Sequence, residues 1–206
     1  ICLIKTSTSS GENFLGGYRS GLEKNPDVEQ FTVIYQISDM PVLFGEQEIA
    51  ANAFSVDSTF FKIFPYRVIA GSGRIVRPRD VVITRSFWKK KLGGKNAIGA
   101  TFKNTKGNKF TIIGVVDDPD TKTSWMPDIF MSDELDEFLF FDPIYAMLMA
   151  PDTDIALLNK KYSKEHPRSK WSTYETVRYQ YLPLKDLYYD KAVSYTHLTL
   201  PTNSRV

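Results

Sequence analysis

The chain has 206 residues, 26 of them basic and 24 acidic, for a formal net charge of +2; so even a balance, with no dense basic stripe, argues against nucleic acid as a partner. A single cysteine, Cys2, excludes an intramolecular disulfide and a cysteine-based metal centre. No apolar run reaches the ~18 residues of a membrane span, and an aromatic content of 14% suits a β-rich interior in one large or two small packed units.

Residues 1–5 read as a strand. Ser9 or Ser10 then stands at the start of a helix carrying Phe14, Leu15, Tyr18 and Leu22 on one face. Gly16, Gly17 and Gly21 weaken that helix by up to ~1 kcal/mol each relative to alanine, or else permit close packing on a sheet. Asn25-Pro26-Asp27 ends it. Residues 28–37 alternate, with Phe31, Val33, Tyr35 and Ile37 on one side, as in a half-buried strand. This β-α-β opening is what half of a ferredoxin-like fold looks like. Residues 40–53 read as a hairpin around Phe44-Gly45-Glu46.

The stretch from 54 to 118 organises the rest. Asp57 or Ser58 accepts from the free amides of a short helix bearing Phe60, Phe61 and Phe64, which Pro65 stops. Residues 66–69 follow as a strand and 70–73 as a turn. Val81, Val82 and Ile83 make a β-branched strand. Thr84 caps a second helix with Phe87, Trp88 and Leu92 on one face, ended by Gly93-Gly94. Phe102, then Phe110, Ile112, Ile113, Val115 and Val116, complete a hairpin around Lys106-Gly107-Asn108. Phe60, Phe64, Phe87 and Trp88 are expected to share one core.

Beyond a loop at Asp118-Pro119-Asp120, residues 129–131 read as a short strand and 132–134 as a helix start. Residues 138–149, interrupted by Asp142 and Pro143, read as a strand or strand pair buried on both faces. Residues 152–163 place Ile155, Leu158 and Tyr162 at helical spacing, and a polar loop runs on to 170. Residues 174–182 form a strand with Val177, Tyr179 and Tyr181 on one face. The final VSYTHLTLPTNSRV, residues 193–206, shifts to Ser, Thr and Pro. It resembles translated sequencing-adapter sequence and is set apart from the domain as non-native, a native strand carrying Tyr195, Leu198 and Leu200 being the alternative. The chain begins without methionine or a signal peptide, as expected of a piece excised from a longer protein.

Candidate chemistry is sparse. His166 lies in a charged loop and reads as a solvated surface histidine, and His197 lies in the set-apart tail. Cys2 has no histidine near it in sequence to act as a base. Asp117, Asp118 and Asp120 offer oxygen ligands suited to calcium or magnesium but lack the glycine and distal glutamate of an EF-hand, and read as a strand-end turn. Gly93-Gly94-Lys95 follows a helix instead of opening one, unlike a phosphate loop. Lys89, Lys90 and Lys91 read as the solvated face of their helix. Trp125, Met126 and Pro127 are either an exposed contact patch or a loop folded onto the core. No catalytic, cofactor-binding or metal-ligating residue is therefore assigned.

The order VDSTFFKIFPYRVIAG, VVITRSFWKKKLG, NAIGATF, FTIIGVVDD, and then YLPLKDLYYDK at 181–191, resembles the MacB-like periplasmic core domain of FtsX-type ABC transporter permeases, over residues 1–191. The resemblance implies an α+β fold with a ferredoxin-like, porter-type subdomain, residues 1–45 and 145–191, and an inserted β-rich subdomain, residues 46–144. It implies membrane helices flanking the domain at the bacterial inner membrane, with the domain on the periplasmic side. It also implies an ABC ATPase subunit or domain as partner, a periplasmic adaptor or lipoprotein as a further partner, and a non-enzymatic role in efflux or lipoprotein release, with no cofactor. On that reading Ile1 and Lys191 lie on one face and the inserted subdomain projects away from it. The rivals are a ligand-sensing receptor ectodomain, which needs a concave pocket, and a hydrolase using two of Asp117, Asp118 and Asp120.

Overall fold

Period-two alternation of apolar residues dominates this chain, and sheets dominate the computed structural model, which describes residues 1–9, 13–16, 25–94, 96–119, 126–132, 143–162, 165–167 and 176–189. Among the described residues the strands are β1 (Cys2–Thr8), β2 (Asn13–Leu15), β3 (Val28–Phe44), β4 (Gln47–Val56), β5 (Val68–Gly71), β6 (Asp80–Thr84), β7 (Thr101–Asn104), β8 (Lys109–Val116), β9 (Ile129–Ser132), β10 (Ile144–Met149), β11 (Glu165–Pro167) and β12 (Thr176–Pro183). The α-helices are α1 (Phe60–Ile63), α2 (Arg85–Lys91) and α3 (Ile155–Tyr162), and a 3-10 helix spans Leu184–Tyr189. The chain divides into two compact units, Ile1–Gln30 with Ile144–Val206, and Phe31–Pro143.

In the first unit the strand order is β11-β12-β1-β10, with β2 also on β1. β1 and β12 run antiparallel from Cys2↔Pro183 to Thr8↔Val177. Four consecutive residues of β10, Ile144 to Met147, are buried, as a strand covered on both faces requires. α3 seats Leu158 inward, and its Asn159 amide substitutes for a neighbouring strand. Asn159 Nδ2 donates to the Tyr181 carbonyl at 3.0 Å, and Asn159 Oδ1 accepts from the Tyr181 amide at 2.7 Å. The helix expected at Phe14 and Leu15 is a strand instead. Both residues pair with β1, opposite Thr6 and Lys5, and Gly16 follows at φ 141°, a backbone that glycine tolerates and a helix excludes. The remainder of that expected helix, with Tyr18 and Leu22, lies outside the described residues, as do Lys191 and the tail.

The second unit holds a closed ring of strands. β3 pairs β4, β4 pairs β9, β9 pairs β6, β6 pairs β8, β8 pairs β7, and β7 returns to β3 through Val42↔Asn104 and Leu43↔Lys103. Closure removes the unpaired edges that an open sheet leaves. Two irregularities make it possible. A register shift between Ile37 and Met40, with Asp39 at φ 50°, lets Ile37 and Val42 face the same side although they stand five residues apart. Ile113 is the extra residue where Val81 pairs Ile112 and Val82 pairs Gly114, so that Ile112 and Val115 share a face. The β3–β4 turn is Gly45-Glu46, with Gly45 at φ 63°, a glycine-first two-residue hairpin turn.

The residues on one face of the ring form a single cluster, including Ile37, Val42, Ala53, Ile83, Phe102, Ile112 and Met131, together with Phe87 from α2. Phe130, between Ile129 and Met131, points to the other face, where α1 lies. There Phe60 sits 5.4 Å from the Phe130 ring and 5.0 Å from Phe64. The one core expected for Phe60, Phe64, Phe87 and Trp88 is thus two, separated by the sheet, because the helices that carry these residues cover opposite faces. Phe64 and Trp88 are half-buried.

β5 lies beside β8 next to this ring, shifted two residues later than the sequence suggested. Its Gly71 faces Gly114. A Cβ at Gly114 would overlap the Ser72 carbonyl, and one at Gly71 would overlap the Ile113 carbonyl. Backbone rather than side chain meets the added atom, so Gly114→Ala is expected to cost about 1–3 kcal/mol through overpacking. An unchanged thermal midpoint would show that β5 can retreat.

Candidate functional site

The acidic cluster is the strongest chemical candidate in the sequence, and its described members point to different partners. Asp117 ends β8. Its Oδ2 accepts from Arg67 Nε at 2.9 Å, pairs with Arg67 Nη2, and accepts from Arg85 Nη2 at 2.9 Å. The hydrogen bond from Arg67, assisted by the charges of Arg67 and Arg85, holds its carboxyl below the usual aspartate range. Asp118 turns to the start of α2, where Oδ2 accepts from Ser86 Oγ at 2.9 Å and Oδ1 from the Ser86 amide at 3.2 Å. Thr84, the helix cap read from the sequence, accepts from the Phe87 amide at 3.4 Å. These carboxylates therefore tie the end of β8 to the chain before β5 and to the first turn of α2, which are structural roles. Among the described residues no three His, Cys, Asp or Glu side chains are grouped to hold a metal. Asp120 lies outside the described residues.

The pairing of Asp117 sets a pH dependence. A carboxyl whose folded pKa is depressed contributes stability above its unfolded pKa, and the contribution disappears as pH falls through the lower folded value. The stability curves of the wild type and Asp117→Asn are expected to be separated at neutral pH and to converge below about pH 4, the ordinary aspartate range. Parallel curves down to acid would show that the ion pair is energetically idle.

The other described candidates have structural settings of their own. Cys2 is 3% exposed within β1, and burial pushes its thiol pKa up, away from the thiolate a nucleophile needs. His166 belongs to β11, paired with Val177. Gly93 and Gly94, at φ 64° and 69°, close the C-terminus of α2, where the Gly94 amide donates to the Trp88 carbonyl at 3.1 Å. That amide is occupied by the helix and not free to cradle phosphate. Lys89, Lys90 and Lys91 are exposed, Met126 is half-buried and Pro127 buried. Lys95, Trp125 and His197 lie outside the described residues. Tyr66 packs on Phe130 with ring centroids 5.1 Å apart, and burial pushes its hydroxyl up to about 12, so it stays protonated in physiological conditions.

Sequence reasoning missed the polar groups that brace the second unit. Asp57 does more than cap α1. Its Oδ1 accepts from the Thr59 amide at 2.8 Å, the Phe60 amide at 3.2 Å and Thr32 Oγ1 at 2.8 Å, and its Oδ2 accepts from the Val33 amide at 3.0 Å. Asp128 Oδ2 accepts from the Asn52 amide at 2.9 Å, and the Asp128 amide returns a bond to the Asn52 carbonyl at 2.7 Å. Asn52 Oδ1 in turn accepts from the Asp39 amide at the β3 bulge. Only the cap of α1 had a local sequence signal. The other bonds join residues too far apart along the chain to show one.

Residues 7–161 match the family model described as MacB-like periplasmic core domain. No curated protein matches the chain by sequence. Three of the solved structures that share its fold are as follows. One is a domain of a protein described as a permease from Porphyromonas gingivalis, at TM-score 0.68 and 18% identity, covering 88% of this chain and 89% of that one. The second is the periplasmic region of MacB from Actinobacillus actinomycetemcomitans, at TM-score 0.59 and 16% identity, covering 78% and 80%. The third is the extracellular domain of the noncanonic ABC-type transporter YknZ from Gram-positive bacteria, at TM-score 0.53 and 14% identity, covering 86% and 99%.

Proposed function

The chain belongs to the MacB-like periplasmic core domain family of ABC transporter permeases, and from that premise we propose that it passes conformational change between membrane helices and an extracytoplasmic partner or substrate. The reading is non-enzymatic. ATP is hydrolysed by an ABC ATPase subunit or domain on the far side of the bacterial inner membrane, and the work performed on the periplasmic side is efflux or lipoprotein release, with an adaptor or lipoprotein as the contact. One observation carries the reading. β1 and β12 are antiparallel neighbours, and beyond their last pair the Leu184 amide donates to the Ile1 carbonyl at 2.9 Å. The start of β1 and the end of β12 thus lie at one end of one strand pair, which supports a domain inserted between two membrane helices. On this reading a displacement of those helices is passed to a hydrogen-bonded strand pair.

The subdomain organisation is part of this proposal, with 1–45 and 145–191 serving as the base and 46–144 as the inserted element. The compact units divide earlier on the N-terminal side, within β3. Val76 is 67% exposed and Cys2 is 3% exposed, so in the intact permease a Val76→Cys variant gives a reporter free of background from Cys2. A membrane-impermeant maleimide is expected to label it from the periplasmic side, with the inner membrane intact. Labelling that requires lysis of the inner membrane would overturn the assignment.

A further inference from the structure

We propose that the loop of residues 72–79, between β5 and β6, docks an acidic extended segment of a protein partner. Arg74, Arg77 and Arg79 are all exposed, within six residues, and Val76 among them is 67% exposed. Neither Arg74 nor Arg77 makes an ion pair among the described residues, whereas Arg67 and Arg85 share Asp117. The carboxylate at the end of the loop, Asp80, is already used, since its Oδ2 accepts from the Arg77 amide at 3.0 Å.

A run of surface cations is usually just solvated, and two features distinguish this one. The loop is held in shape before anything binds. Ser72 Oγ donates to the Arg74 carbonyl at 2.6 Å and accepts from the Arg74 amide at 3.2 Å. The Asp80 amide donates to the Arg77 carbonyl at 3.0 Å across a turn whose second residue is Pro78, and Arg79 Nη1 donates to Asn108 Oδ1 at 3.1 Å. A pinned loop loses little conformational entropy on binding. The second feature is apolar. Val68 on β5 is 45% exposed, Ile98 is 46% exposed, and the end of the Ile98 side chain lies against Gly71. Arginines set beside exposed aliphatic side chains have the make-up of a protein interface, since guanidinium groups engage carboxylates through paired hydrogen bonds while the aliphatic groups are desolvated. The complementary occupant carries closely spaced carboxylates with apolar side chains between them.

This deepens the coupling reading by naming the surface a partner takes, and rests on that reading only for the compartment in which the partner is met. The test uses the full chain and a fluorescein-labelled peptide of alternating glutamate and valine, followed by fluorescence polarisation. Saturable binding that weakens with salt is expected, with a loss of about tenfold or more in Arg74→Glu/Arg77→Glu/Arg79→Glu, as for removal of interface anchors. The matching reversal on α2, Lys89→Glu/Lys90→Glu/Lys91→Glu, is expected to leave it unchanged. A lysine-valine peptide should bind the reversed loop, which also shows that the variant is folded. Absence of binding, equal losses in the two reversals, or failure of the lysine peptide to bind the reversed loop would overturn the proposal. Loop-dependent binding to phosphatidylglycerol vesicles without binding to the peptide would also overturn it, and assign the loop to lipid. No transport is measured, so failure here leaves the coupling reading standing, and failure of the maleimide experiment leaves the loop proposal to be judged by its own result.

Discussion

Phe60→Ala is expected to remove about 3–5 kcal/mol of stability, the range for emptying a buried phenylalanine site. Phe60 is 1% exposed, and its ring lies 5.0 Å from Phe64, 5.2 Å from Phe61 and 5.4 Å from Phe130. α1 has only four residues, too short to hold itself together, so packing must hold it on the sheet. Truncation leaves a cavity whose other walls are the fixed sheet residue Phe130 and two half-buried rings that move only partly inward. Phe64→Ala should cost less, because Phe64 is half-buried. Urea unfolding of the two variants measures the difference. A loss below about 1 kcal/mol at Phe60, an ordinary surface-to-intermediate effect, would mean that α1 is not anchored through this ring.

Asp57→Ala is expected to cost about 3 kcal/mol, from loss of charge-assisted hydrogen bonds and desertion of a buried donor. Thr32 is fully buried, and its hydroxyl donates to Asp57, as does the amide of Val33. Removing the carboxylate orphans Thr32 and uncaps α1 in the same step. Asp57→Asn keeps one oxygen and should fall between the wild type and the alanine variant. A companion Thr32→Val change separates the two contributions, since with Thr32 apolar the further cost of Asp57→Ala should shrink. If the double variant simply adds the two single losses, the bond across the unit is not energetically coupled.

What could be read from the sequence was what is settled locally. Gly45-Glu46, Thr84 before Phe87, Gly93-Gly94 and Lys106-Gly107-Asn108 are turn and cap chemistry that acts within four or five residues, and each sits where its residue types demanded. The α+β class came with the family resemblance, and that resemblance rested on the order of the pieces. The closed ring was not legible. It depends on the Asp39 bulge and the extra residue Ile113, each of which flips the inward parity of its strand, and on β7 meeting β3, a pairing of residues about sixty apart. The division of Phe60 and Phe87 between two cores was hidden for the same reason, since helical spacing shows which face of a helix is apolar but not which side of a sheet receives it. At Phe14 and Leu15 the helical spacing was real, but pairing with β1 won, with Gly16 providing the backbone conformation that ends the strand. At the candidate site the acidic cluster read as a strand-end turn, and no local pattern could show that Arg67, from fifty residues earlier, binds Asp117.

The claim that this domain transmits conformational change can be tested with Phe60→Ala placed in the intact permease, reconstituted with its ATPase. The quantity to measure is substrate moved per ATP hydrolysed, at a temperature where protease sensitivity shows that the Phe31–Pro143 unit of the variant has opened and that of the wild type has not. The account predicts that hydrolysis continues while the coupling ratio falls toward zero, because the element that carries displacement is no longer rigid. A ratio equal to that of the wild type, with the unit demonstrably open, would contradict it.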